Sequence, residues 1–175
     1  NAPSDDPLAA RRAVNIRATI SAYEQYLANI TAAGPQLLES VTAVETVNST
    51  VQRARELTIQ GASGTMSATQ RQQLAIEVNQ LIEGVLVEAN HQTNGRYIFS
   101  GTNTLTPPFA ATRDADGRVT AVTYQGNDAA VEVAVADGIR VAVNETGADA
   151  FLSTHNVFQV LIDIRDNLLA NDTAS

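Results

Sequence analysis

From Ala9 onward the apolar positions advance in alternating steps of four and three: Ala9, Ala13, Ile16, Ile20, Tyr23, Leu27, Ile30, Gly34, Leu37, Val41, Val44, Asn48 and Val51. Eleven of these thirteen positions are apolar, the exceptions being Gly34 and Asn48. A 3.5-residue repeat sustained this long predicts the seam of a coiled coil, not the broader stripe of a globular helix. Ser4-Asp5-Asp6-Pro7 carries the helix-start signal, an Asp cap followed by Pro at the first helical position. Gly34-Pro35 interrupts the run, yet the phase is unchanged from Ile30 to Leu37. The pattern therefore predicts one kinked but continuous helix, with a break into two helices as the alternative. It should stop near Gly61-Ala62-Ser63-Gly64. Asn48, at a seam position, would set register at some cost in stability.

Ser67-Ala68-Thr69-Gln70 has the form of a capping box and predicts a second helix. Its seam is Leu74, Val78, Leu81 and Val85, flanked by Ile82 and Leu86, and it should end near Asn90 with Asn94-Gly95 as the turn. The short connection makes the two helices antiparallel. Between Arg96 and about Glu145 the period changes to two. The β-branched runs 119–124, 130–135 and 139–143, separated by Gly126-Asn127-Asp128 and Asp137-Gly138, predict a small antiparallel β unit, with Asp116-Gly117 as a hairpin turn. A third helix should begin around 153–156, with Val157, Leu161, Ile164 and Leu168 on one face and Phe158 and Ile162 beside it. The expected fold class is α+β: an antiparallel bundle of long helices, residues 1–98 with 147–175, carrying an inserted β domain at 99–146.

Composition sharpens this reading. Hydrophobic residues make up 44% of the 175 positions, enough for a core, but only 5% are aromatic and Trp is absent, so the core must be aliphatic. The net charge is −8 and all 11 basic residues are Arg. So acidic a chain is repelled by phosphate backbones and anionic lipid, which argues against nucleic-acid and membrane partners. No stretch approaches the ~20 apolar residues needed to span a bilayer, and no signal-peptide pattern opens the chain. Cysteine is absent, which removes disulfides and thiolate metal sites.

The search for chemistry is short. The two histidines, His91 and His155, lie near helix ends without metal-ligand spacing and read as structural or surface residues. Asp114-Ala115-Asp116-Gly117 resembles half a calcium loop, but Gln125 stands where the bidentate Glu belongs, so a turn is the better reading. Gly61-Ala62-Ser63-Gly64 is not a nucleophile elbow. Four Asn-x-Ser/Thr triplets, at Asn29, Asn48, Asn144 and Asn171, mean little without a eukaryotic secretory origin. No nucleophile, base and oxyanion site assemble: the sequence predicts no enzyme, no cofactor and no metal. Tyr97-Ile98-Phe99 and Pro107-Pro108-Phe109, around Ser100-Gly101-Thr102, concentrate aromatics. Tyr97, Phe99, Gly101, Pro108 and Phe109 are read as a domain junction, with a patch for a neighbouring subunit as the alternative.

Ser4-Asp5-Asp6-Pro7, the run Gln52-Arg53-Ala54-Arg55-Glu56-Leu57-Thr58-Ile59-Gln60, and above all Asn94-Gly95-Arg96-Tyr97-Ile98-Phe99-Ser100-Gly101-Thr102 with Pro107-Pro108-Phe109, resemble the bacterial flagellin superfamily over nearly the whole chain. The Gln-Arg-x-Arg-Glu-Leu run is shared with filament flagellins. The later stretches favour members that join hook to filament, with a short filament subunit as the alternative, and an adhesin or an enzyme further behind. The resemblance implies a structural adaptor of the extracellular flagellum, exported through a type III apparatus without a cleavable signal peptide. The implied partners are other copies of the chain in a ring, a neighbouring hook-associated protein, flagellin and, before secretion, an export chaperone. The polymerising ends of the family are missing, so the chain is expected to be a core fragment and monomeric in solution. The implied subunit-contact residues are Arg53, Arg55, Glu56 and Gln60 on the exposed helix side, with Asp5 and Asp6 at the start. Charge reversal at Arg53, Arg55 or Glu56 is expected to block assembly without unfolding the chain.

Overall fold

A computed structural model describes residues 7–171. Helix α1 runs from Pro7 to Gly61, 55 residues and about 80 Å at ~1.5 Å per residue, with Pro35 inside it. The helix is unbroken at Gly34-Pro35, so the alternative of two helices does not hold. Proline removes one N–H, which leaves the Thr31 carbonyl without its helical donor, but the turns on either side carry the helix through. Helix α2 spans Ala68–Ala89 and opens on the expected capping box: Gln70 N donates to Ser67 Oγ, and Ser67 N donates to the Gln70 side chain at 2.8 Å. The pairings Glu39 with His91, Arg53 with Glu77 and Gly61 with Arg71 run in opposite directions along the two helices, which makes them antiparallel.

The β region is three separate two-stranded hairpins, not one continuous unit. Strands β1 (Gln92–Thr93) and β2 (Arg96–Tyr97) flank Asn94-Gly95, where both residues have positive φ. Strands β3 (Phe109–Arg113) and β4 (Val119–Tyr124) close on the Asp114–Gly117 turn, with a register shift at Thr112/Arg113. Asp114 Oδ1 accepts from the N–H groups of Asp116 and Arg118 at 2.9 and 2.8 Å, so this carboxylate organises a turn. Strands β5 (Glu132–Ala136) and β6 (Ile139–Ala142) form the third hairpin, against α1, where Asn29 Nδ2 donates to Ala134 O at 2.9 Å.

Two helices follow. The short α3 (Gly147–Phe151), capped by Thr146, was not foreseen; α4 (Val157–Ala170) is the expected third long element, capped by Asn156 and closed by Asn171 in the left-handed conformation. One buried cluster joins Leu57 of α1, Val78, Ile82 and Val85 of α2, Phe109 and Val119 of the β3–β4 hairpin, and Phe151, Phe158 and Leu161. The β3–β4 hairpin thus packs into the same apolar core as the helices, contributing Phe109 at one end and Val119 at the other.

Candidate assembly surface

The predicted seam of α1 does not face this core. The buried α1 positions are Ser40, Ala43, Val47, Ala54, Leu57 and Gly61, each one residue ahead of a seam position or of its continuation at Arg55, Thr58 and Ala62. One residue is a turn of ~100°, so the core face and the seam lie about a quarter-turn apart. Ile16, Ile20, Tyr23, Leu27, Ile30, Leu37, Val41 and Val44 are all exposed, Leu27 to 65%. Asn48 is exposed among them. The stripe is far longer than the scattered apolar side chains a monomer normally shows, and its spacing suits a second helix. At its lower end it runs into a shallow apolar groove between α1 and α4, lined by Val51, Ile59, Val160 and Ile164, with Arg55 in line with the seam.

The predicted contact residues divide. Arg53, Arg55, Glu56 and Gln60 are all exposed on α1. Arg53 is already engaged within the chain: its Nη1 donates to Glu56 at 2.9 Å and its Nε to Glu77 of α2 at 2.8 Å. Those hydrogen bonds, Glu56 first and Glu77 next, raise its pKa above the ordinary arginine value. Arg55 makes no ion pair among the described residues. Asp5 and Asp6 lie outside the described residues.

The aromatic segment turns inward. Phe99, Pro108 and Phe109 are buried, as is Gly101. Phe109 lies 5.1 Å from Tyr124 and 5.3 Å from both Phe151 and Phe158, ring centre to ring centre, while Phe99 meets Phe151 edge-on at 4.9 Å. Tyr97 is half-buried and lines a separate cleft beside Pro35. Gly101 has φ +67, and a Cβ there would meet the Asn127 carbonyl at 2.0 Å, so no other residue fits. Polar partners that the sequence reading passed over tie the segment down. Asn90 brackets the Phe109 backbone, accepting from its N–H at 3.0 Å and donating to its C=O at 2.9 Å. The Tyr124 hydroxyl donates to the carbonyls of Phe99 and Asn127. Its burial raises the phenol pKa, opposed by the Gly147 backbone and aided by Asp128 and Asp149.

Two buried arginines were also missed, and both carried a signal. Arg71 stands on the apolar stripe of α2, and Arg165 on that of α4 between Leu161 and Leu168. Arg71 caps the end of α1, donating to Gly61 O at 2.9 Å and Ser63 O at 3.2 Å, and also binds the Asn171 side chain. Arg165 Nη1 reaches Asn79 Oδ1 and Val119 O, joining α4, α2 and β4. Of the histidines, His91 lies 3.3 Å from Glu39 and His155 is exposed. Among the described residues no three His, Asp or Glu side chains gather to hold a metal ion, and no helix is long and apolar enough to cross a membrane.

The helical body thus presents, among the described residues, an exposed apolar stripe spaced for a second helix, the surface feature of a helix-packing protein. The chain belongs to the flagellin family: the family model of the bacterial flagellin N-terminal helical region matches residues 1–104. It is 35% identical over 109 residues to flagellar hook-associated protein 3 of Escherichia coli K12, covering 62% of this chain and 34% of that one. Against flagellar hook-associated protein 3 of Salmonella typhimurium LT2 it is 30% identical over 152 residues, 86% of this chain and 45% of that one. The chain thus spans less than half the length of these curated relatives. The crystal structure of the flagellar junction protein FlgL from Legionella pneumophila superimposes with a TM-score of 0.63 at 32% identity, over 80% of this chain and 43% of that one.

Proposed function

We propose that this chain is part of a structural adaptor of the bacterial flagellum, one that joins the hook-associated region to the flagellin filament by packing helices against neighbouring subunits. The observation that carries the reading is the open seam of α1, an apolar 4,3 stripe left uncovered on a member of the flagellin family. The names of the relatives, hook-associated protein 3 and a flagellar junction protein, favour the junction over the filament subunit. On this reading the protein is not an enzyme and works outside the cell. It is built into a ring with copies of itself, beside another hook-associated protein and flagellin, after release from an export chaperone. The helical part, 1–98 with 147–175, holds the neighbours while 99–146 faces outward. Arg55 and Gln60, with Arg53 and Glu56 beside them, contact the adjacent subunit, as do Asp5 and Asp6.

Electron microscopy of cells lacking the full-length gene, with an immunoblot of the medium for flagellin, tests this. Bare hooks with abundant unpolymerised flagellin outside are expected. Bare hooks with no flagellin outside would make the protein the filament subunit, and normal filaments would remove both readings.

A further inference from the structure

The seam of α1 has two unlike halves. After Gly34 the helix carries the body, with Ser40, Ala43 and Val47 turned into the core. Before it, residues 8–28 hold no buried side chain and form an arm. The apolar stripe is exposed on both halves. Arg17 follows Ile16 and Glu45 follows Val44, so both flank the stripe on the same side, where charged residues set the partner and direction of paired helices. Both are exposed, and neither makes an ion pair among the described residues.

We propose that in the free protein this stripe is covered by the same stripe of a second copy running antiparallel, with Arg17 of each chain against the partner's Glu45. Centred on Ala32, the two seams match layer by layer. Leu27 faces the partner's Leu37, Ile20 the partner's Val44 and Tyr23 the partner's Val41. Ile30 faces the partner's Gly34, where nothing lies within 4 Å of an added Cβ and the larger side chain has room. Ile16 meets the partner's Asn48 in the one mixed layer. The overlap from Ala13 to Val51 is 39 residues, more than five heptads, against the ~3–4 that sustain a coiled coil. At its end the small Ala13 reaches the apolar groove beside the partner's Val51.

Charge selects direction and register. A parallel pair sets Arg12 of each chain against the partner's Arg17 and leaves Gly34 facing Gly34. A slip of one heptad in the antiparallel pair sets Glu24 against the partner's Glu45 one way, and leaves Arg17 facing the partner's Leu38 the other way. Centred on Ala32, opposite charges meet twice, once toward each end. The bodies do not collide, because each arm lies along the body-bearing half of the other chain and the core occupies a different stripe. Each copy keeps its own core, so dilution should release folded monomers. The pair stands in place of the monomer expected from the sequence, and it concerns the protein before assembly, apart from the junction reading.

The chain has no cysteine, so introduced cysteines report the layers cleanly. Leu27→Cys and Leu37→Cys proteins oxidised separately should stay single, and mixed they should give a disulfide-linked band at twice the chain mass. A band from Leu27→Cys alone means a parallel pair and overturns the proposal. So does the absence of a band from the mixture, or a monomer at every concentration in sedimentation equilibrium. Arg17→Glu or Glu45→Arg should weaken dimerisation roughly tenfold, and the double variant should restore it, while dilute samples melt as the parent does. Single variants that dimerise like the parent, or a double variant no better than the singles, overturn the charge pairing.

Discussion

Tyr124 illustrates how much a single side chain holds here. Its hydroxyl satisfies two carbonyls, on Phe99 and Asn127, and its ring covers Phe109. Tyr124→Phe keeps the ring and removes the hydroxyl contacts while the Phe99 carbonyl keeps the Gly147 N–H at 2.8 Å, so a loss of ~0.5–1.5 kcal/mol in denaturant unfolding is expected. The raised phenol pKa has a definite consequence. A group whose folded value lies above its unfolded value contributes stability below the unfolded value, ~10 for tyrosine, and loses it as pH rises through the folded one. The protein should therefore weaken in alkali, and Tyr124→Phe should remove part of that dependence; an unchanged alkaline slope would show that Tyr124 is not its source. Gly101 is as demanding. Gly101→Ala places a methyl against the Asn127 carbonyl at a positive φ and is expected to cost at least ~1 kcal/mol.

Along α1 the same residue type has opposite consequences according to the stripe it occupies. Leu57 is 0% exposed in the core, whereas Leu27 stands on the seam. Leu57→Ala should cost ~2–5 kcal/mol, while Leu27→Ala should stay within ~0.5 kcal/mol yet impair assembly of the full-length protein. Calorimetry and a swimming assay on the same pair of variants separate the two stripes, and a matching loss of stability at Leu27 would place it in the core. Much of this was legible in the sequence. The extent of α1, the capping box, the hairpin turns and the α4 stripe follow from local chemistry that acts within a few residues. Which face of α1 enters the core was not legible, because Ser40, Ala43, Val47 and Ala54 are small and weakly patterned beside the Leu and Ile of the seam. The strongest periodicity marked the exposed stripe. The short α3 was hidden because five residues carry no period, and the arginines Arg71 and Arg165 were hidden because buried charge is seldom expected on an apolar stripe.

At the level of the whole molecule, long-range polar ties join the hairpins to the helices. Arg113 of β3 pairs with Glu83 of α2, its Nη2 donating to Oε2 at 2.8 Å, and this hydrogen bond lowers the Glu83 pKa. A carboxyl whose folded value is depressed contributes stability above its unfolded value and loses it as pH falls through the folded one. Acidification below the ordinary glutamate range should thus loosen the β3–β4 hairpin from α2, modestly because the pair is solvated. Protection factors of the 109–124 amides at pH 3 against pH 7, corrected for intrinsic exchange, measure it, and Glu83→Gln should reduce the difference. The quarter-turn between seam and core also has a genetic reading. A screen for folded protein would leave the seam free to vary, and a screen for swimming would hold it. The two tolerance maps, laid along one helix, should differ by a single residue in phase, so that the sequence of α1 answers to two selections at once.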